Sequence, residues 1–328
     1  MPPAARGALF EKTAPLDPLQ KLLEVQKPFH EKVFGRRRHR IVEMKMIGFF
    51  HEVDADKCGG KGKSLIALQD AGFTVPPGFI LTYDAYSLYK ETGHMPAAVK
   101  EQVISSYRKL KHDTGSHLVS VRSSASAEDL PNASFAGLYE TYLYVASEND
   151  LIEKIIACWQ SLLNERAAAY RKQMHIPAAG LKMAVIVQTM IDPKCAGILF
   201  TTYPYPGTPR QNVIIVESNW GCAETVVSGK ATPDHFVIAK DGHYTLLEKS
   251  PGEKEVVLQG GRLESRDPAD PGSPPGEFSL TGDELKRLCQ LGDQIEVHFK
   301  HPQDIEWALD PEDKLFILQS RPVTAGRL

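Results

Sequence analysis

A short apolar run, Leu118-Val119-Ser120-Val121, delivers Arg122 into a stretch of small and hydroxylic residues, Ser123-Ser124-Ala125-Ser126-Ala127, that continues to Phe135-Ala136-Gly137. A strand ending in arginine presents a planar fork of donors suited to phosphate. Small neighbours let backbone N–H groups approach the same anion. The competing reading of such an arginine is a plain surface charge, so the rest of the chain has to decide between them.

From Phe49 onward the chain alternates strand-like and helix-like segments. Leu65, Leu68 and Ala71 recur at helical spacing, Gly72 ends that helix, and Val75-Pro76-Pro77-Gly78 turns into the strand Phe79-Ile80-Leu81-Thr82. Helices are expected over 84–92, 97–110 and 149–173, and strands over 118–122, 139–145, 183–190, 196–202 and 213–218. Residues 251–280 hold five prolines and five glycines and read as a mobile loop. Leu285, Leu288, Leu291, Ile295 and Phe299 form one stripe, so 281–299 is an amphipathic helix. Residues 1–45, rich in proline and carrying Arg36-Arg37-Arg38-His39-Arg40, read as an N-terminal extension, mobile and solvated. Residues 46–180, which hold Lys61 and Arg122, and residues 181–328 read as two lobes.

The net charge of -3 implies no bulk attraction to nucleic acid. No apolar run reaches the roughly 20 residues that span a bilayer, so no membrane partner is expected. The five cysteines are scattered without a C-x-x-C pair, which suits reduced thiols and a cytoplasmic setting.

Several constellations carry chemistry. Cys58-Gly59-Gly60-Lys61-Gly62-Lys63-Ser64 opens a helix whose free N–H groups and dipole favour an anion. It is not a P-loop: the pattern G-x-x-x-x-G-K-[ST] requires glycine where this chain has Lys57. Ala184-Val185-Ile186-Val187-Gln188-Thr189-Met190-Ile191 is first of all a buried strand. Glu217 ends a strand ahead of Trp220-Gly221 and either sits at a ribose or caps the next helix. Asp304–Leu309 and Lys314–Gln319 flank the turn Asp310-Pro311-Glu312-Asp313. If Leu309 pairs with Lys314, Asp304 lies opposite Gln319. Asp304, Glu306, Gln319 and Arg321 then share one face, and Ile305, Trp307, Phe316 and Leu318 face the core. A carboxylate, an amide oxygen and an arginine on one surface suit a magnesium–triphosphate.

These strings, in this order, resemble the ATP-binding domain of phosphoenolpyruvate synthase and its relatives: pyruvate phosphate dikinase, rifampin phosphotransferase, the glucan water dikinases and the two-gene phenylphosphate synthases. The likeness runs from about residue 50 to 324. It implies an α+β, ATP-grasp-like, two-lobed nucleotide-binding domain that uses ATP and Mg2+, with 46–180 as the phosphate-binding lobe (Lys61, Arg122) and 181–328 as the adenine- and metal-binding lobe. It assigns Lys61, Arg122 and Arg321 to catalysis on the ATP phosphates. It assigns Gly137, Thr141, Gln188, Thr189, Ile191 and Glu217 to nucleotide contact, and Glu306 and Gln319 to the metal. Leu138 departs from the polar residue usual there and is closer to the glucan dikinase version.

Full-length relatives continue past Q-S-R-P into a domain with a T-x-S-H-A phosphohistidine, which this sequence does not contain. Gly115-Ser116-His117 precedes the arginine strand and is not that motif. The expectation is therefore a phosphotransferase of dikinase type, either a piece of a larger enzyme or, as the atypical residues 1–45 favour, a separate subunit like that of the phenylphosphate synthases, active with a histidine-bearing partner in trans. Alternatives are an ATP-binding regulatory module without transfer and an ADP-forming small-molecule kinase.

Overall fold

Two antiparallel sheets, one on each side of a single glycine-led helix, organise the chain. The structure, a computed structural model, describes residues 45–126, 139–177, 180–205, 212–265 and 276–323. The expected N-terminal extension lies outside the described residues, and Met46–Leu328 cluster as one unit.

The first sheet contains β1 (Ile47–Phe49), β2 (Gly78–Leu81), β3 (Val119–Ala125), β4 (Thr141–Val145) and β5 (Met183–Thr189), in the order β1-β2-β5-β3-β4. The second contains β6 (Cys195–Phe200), β7 (Val213–Trp220), β8 (Asp234–Ala239), β9 (Leu246–Ser250), β12 (Gln303–Leu309) and β13 (Leu315–Pro322), in the order β13-β12-β6-β7-β8-β9. The lobe boundary expected at 180/181 does not follow this division. β5 pairs with β2 on one side and β3 on the other, so it is the middle strand of the first sheet. Every residue of β5 is buried, as its continuous apolar run requires.

Helix α1 (Gly59–Asp70) joins the two halves. Leu65 and Ile66 enter the first sheet's core with Phe50, Ile80 and Ile186. Leu68 enters the second core with Leu199, Ile214, Trp307 and Ile317. Helices α2 (Tyr83–Thr92), α3 (Ala97–Thr114) and α4 (Glu148–Ser161) follow, with α2 and α4 packed on the first sheet. The single helix expected over 149–173 is two, because Asn164 caps a new one, α5 (Glu165–Gln173), by accepting from the Ala167 amide. A short turn of helix, α6 (Glu224–Val227), follows β7. Helix α7 (Gly282–Phe299) lies on the second sheet through Leu285, Leu288, Cys289 and Ile295, and starts with a reciprocal Thr281–Glu284 cap.

The mobile loop expected over 251–280 contains a hairpin, β10 (Val256–Gln259) and β11 (Arg262–Ser265). Gly260 and Gly261 make its two-residue turn with φ of 56° and 81°, the backbone such turns demand. Counting prolines and glycines across thirty residues hid a short V-V-L-Q-G-G-R-L-E-S signal. Among the described residues no helix is long and apolar enough to cross a membrane.

Candidate functional site: a cleft between the two sheets

The glycine-led start of α1 rests directly on the end of β3. Gly59 has φ +72°, and a Cβ there would stand 2.3 Å from Ser124 Oγ. The Gly62 amide donates to Ser124 Oγ at 3.2 Å, and Lys61 Nζ donates to the Ser123 carbonyl at 3.1 Å. Ser64 Oγ donates to the Ser320 carbonyl at 2.6 Å, tying the same helix to β13. Lys61 thus reaches the residue next to Arg122, 61 residues on in sequence, and both line one cleft, because α1 and β3 close on each other around residues without bulk.

Arg122 is 8 % exposed and leaves β3 toward the second sheet. Its Nη2 donates to Glu306 Oε2 at 3.1 Å and Gln319 Oε1 at 3.0 Å. Its Nη1 donates to the Leu318 carbonyl at 2.6 Å and, more weakly, to Gln188 Oε1 at 3.4 Å. Arg321, near the end of β13, is held by Asp304, with Nε to Oδ2 at 2.8 Å and Nη2 to Oδ2 at 2.7 Å.

The hairpin that supplies these partners has a different register from the expected one. Asp304 lies opposite Arg321 and Glu306 opposite Gln319, while Leu309 pairs with Leu315. Between Glu306 and Trp307 the register shifts by one, so Leu318 is an extra residue on β13. Because the error beyond the bulge is two residues, Asp304, Glu306, Gln319 and Arg321 still share a face. The other face changes. Ile317, not Phe316 or Leu318, joins Ile305 and Trp307 in the core. Leu318 instead packs with Ala196, Ala223, Ala308 and Ile191 at the floor of the cleft.

The cleft has a volume of about 1150 Å³. Of the expected residues, Lys61, Arg122, Thr141, Ile191, Glu306, Gln319 and Arg321 line it. Thr141 pairs with Arg122 across β3 and β4, which sets the two on neighbouring strands at one edge of the wall. Gln188 and Thr189 do not line it. Gln188 stands behind Arg122 and donates its amide to the Pro76 carbonyl at 2.9 Å, and Thr189 is buried with its hydroxyl unpartnered. Gly137 lies outside the described residues.

Glu217 does not line the cleft either. The row Glu306–Ile198–Glu217–His235 runs straight across four strands. Glu217 therefore stands two strands, roughly 10 Å, from Glu306. It accepts from Tyr205 and pairs with His235 Nδ1 at 3.5 Å. Burial works upward on its carboxyl, yet the His235 and Tyr205 bonds hold it below the ordinary carboxylate value. A carboxylate from beyond β7 that does reach the cleft, alongside Glu306 and Glu140, is Glu224, brought back by the turn at Gly221 and α6. Burial pushes Glu224 up, and the Glu306 charge adds to that. Sequence reasoning passed over Glu224, and also Arg166 in the first turn of α5, which is exposed and lines the cleft. The signal for Glu224 was its place in E-T-V-V-S-G; Arg166 carried none. All five cysteines are free and buried, and burial raises the thiols of Cys58, Cys158, Cys195 and Cys289 to about 12.

Glu306 and Gln319 offer two hard oxygens side by side across β12 and β13. Among the described residues no group of three or more His, Cys, Asp or Glu is placed to hold a metal ion. That combination fits magnesium, which takes few protein oxygens and fills its shell with phosphates and water. It does not fit zinc, which takes nitrogen and sulfur ligands.

The family described as "Pyruvate phosphate dikinase, AMP/ATP-binding domain" matches residues 90–327. Among curated proteins the chain is similar to the probable phosphoenolpyruvate synthase of Methanothermobacter thermautotrophicus, 34% identical over 326 residues, covering 86% of this chain and 46% of that protein. The phosphoenolpyruvate synthase of Aeropyrum pernix is 33% identical, over 86% of this chain and 43% of that protein. The uncharacterized phosphotransferase YvkC of Bacillus subtilis is 32% identical, over 83% of this chain and 34% of that protein. The chain thus spans less than half the length of these relatives. A looser likeness among solved structures is the D-alanine-D-alanine ligase of Coxiella burnetii, 10% identical with a TM-score of 0.38, over 81% of this chain and 48% of that one.

Proposed function

The chain belongs to the pyruvate phosphate dikinase AMP/ATP-binding domain family, and from that premise we propose that it binds Mg-ATP in the cleft between its two sheets and passes the β,γ-pyrophosphoryl group to a histidine of a partner. In this reading a ring nitrogen of that histidine attacks the β-phosphorus, and the bond from the β-phosphorus to the oxygen bridging it to the α-phosphorus breaks. AMP leaves, and water then takes the terminal phosphate. The phosphohistidine remaining on the partner phosphorylates a further acceptor of the class of pyruvate or phenol. The buried, unpaired cysteines suit the cytoplasmic setting in which we place this reaction.

The single observation that carries the reading is the convergence of Arg122, Glu306 and Gln319 from opposite sheets within 3.1 Å. Lys61, Arg122 and Arg321 neutralise phosphate charge, which matters most where water is excluded and charge is moving. Glu306 and Gln319 would hold the magnesium, which when bound would neutralise phosphate charge. Thr141 and Ile191 position the nucleotide from the cleft walls. Removing one such cation costs about 3–4 kcal/mol of transition-state stabilisation, or 10²–10³ in rate.

The test is product analysis with Mg-ATP, with the chain alone and with a phosphohistidine-domain protein added. AMP and phosphate formed only with the partner, and lost in Arg122→Ala, is the expected result. ADP from the chain alone would replace this reading with an ordinary kinase, and tight ATP binding without product under both conditions would replace it with a regulatory module.

A further inference from the structure

We propose that Arg122 is a built-in stand-in for the divalent cation, so that the metal oxygens become available only when a nucleotide draws the arginine away. The inference rests on the reading of Glu306 and Gln319 as the metal-holding pair. Those two oxygens are the ones Arg122 Nη2 occupies, at 3.1 and 3.0 Å. The contact is sheltered: the Arg122 and Glu306 side chains are 10% and 16% exposed. A guanidinium on these oxygens competes with a magnesium ion at the same pair, because the two positive charges repel at short range.

Arg122 has a way out. Its remaining tethers are neutral oxygens, the Leu318 carbonyl and the Gln188 amide. A triphosphate in the cleft offers charged oxygens, to which a guanidinium forks more strongly than to neutral ones. Moving onto the phosphates, Arg122 would leave the Glu306 carboxylate beside the same phosphates, available to hold a divalent cation that neutralises it. Metal without nucleotide finds its oxygens taken, and nucleotide without metal leaves a carboxylate facing phosphate. Each ligand therefore strengthens the other by the same factor, as linkage demands. Glu306 is the pivot: it is neutralised by Arg122 in the empty cleft and by the metal in the loaded one.

The experiment titrates Mn2+ into the nucleotide-free protein and follows free Mn2+ by electron paramagnetic resonance. Wild type should bind Mn2+ weakly, and Arg122→Gln at least tenfold more tightly. Arg122→Lys, which keeps a cation but cannot fork, should fall between them, and it keeps the test open should the Gln variant not fold. A parallel sample of ATP-saturated wild type should show an enzyme-bound Mn2+ spectrum that Glu306→Gln abolishes. Loss of the stand-in without any gain in Mn2+ affinity, while the ATP-loaded spectrum still depends on Glu306, overturns the stand-in and leaves the metal site. No Glu306-dependent spectrum in the loaded protein overturns the metal assignment, and the stand-in with it.

Discussion

Arg122 Nη1 reaches the backbone carbonyl of Leu318 at 2.6 Å, joining the third strand in chain order to the last, 196 residues away. Leu318 is the extra residue of the β12–β13 register shift, so the feature that breaks the hairpin's regularity also supplies an acceptor to the other sheet.

Arg122 and Glu306 should therefore be coupled in stability as well as in chemistry. Arg122→Gln leaves a half-buried carboxylate without its cation, and Glu306→Gln leaves a buried guanidinium without its anion. Each alone should cost more than the two together leave uncompensated, with an interaction energy of about 1–3 kcal/mol. Urea unfolding of the two single variants and the double variant measures it; additive losses would show that the sheets are held together elsewhere.

Gly59→Ala should be among the more damaging small changes in the protein. The residue has φ +72°, and the new Cβ would meet Ser124 Oγ at 2.3 Å and the Ser124 carbonyl oxygen at 2.4 Å. A left-handed conformation and a backbone collision together should cost about 2–5 kcal/mol. Because the collision pushes α1 off β3, Lys61 should move with it, and ATP affinity should fall in protein that still folds. Thermal unfolding and calorimetric ATP titration check the two parts separately.

Glu217→Gln should leave Mg-ATP affinity within about twofold of wild type, since the side chain stands two strands, roughly 10 Å, from Glu306. Its effect should show in acid instead. The folded-state carboxyl lies below the ordinary 4.5, so its contribution is present above that pH and is lost as pH falls through the folded value. The stability gap between wild type and variant should be full at pH 7 and shrink below pH 4.5. Urea midpoints across that range decide it; a gap that widens in acid would reverse the sign.

Lys254→Met should destabilise without touching the cleft. Lys254 Nζ donates to Asp234 Oδ1, and the two side chains are 8% and 0% exposed. Asp234 also accepts from the Gly252 amide, the Ser279 amide and Ser279 Oγ, which fastens β8 to the segments leading into β10 and α7. Removing the cation strands a buried charge, at about 3–5 kcal/mol. The double variant with Asp234→Asn should recover part of the loss in the same unfolding measurement.

Much of the site was legible because its local patterns have short periods. The i, i+2 spacing of Asp304 and Glu306, and of Gln319 and Arg321, puts each pair on one face whatever the exact pairing, so a register error of two residues did no harm. Gly59-Gly60-Lys61-Gly62 announced a helix start open to an anion, and α1 begins there. Glu217 was expected at a ribose or as a cap of the next helix; the structure sets it two strands from Glu306 in one cross-sheet row, and nothing in a single strand says how far along that row the cleft extends. Glu224 was passed over for the converse reason: a turn and one turn of helix return the chain to the cleft, and their direction is set by packing.

By itself the sequence determined the α+β class, the identity of most strands and helices, and which charged residues share a strand face, because those follow from periodicity and from glycine and proline at element ends. Only the tertiary structure decided that β5 belongs to the first sheet, that Leu318 is an extra residue in the hairpin, and that Arg122 meets Glu306 across 184 residues of chain. Strand order, bulges and contacts between sheets depend on how buried faces fit one another in three dimensions, and that fit has no period along the chain.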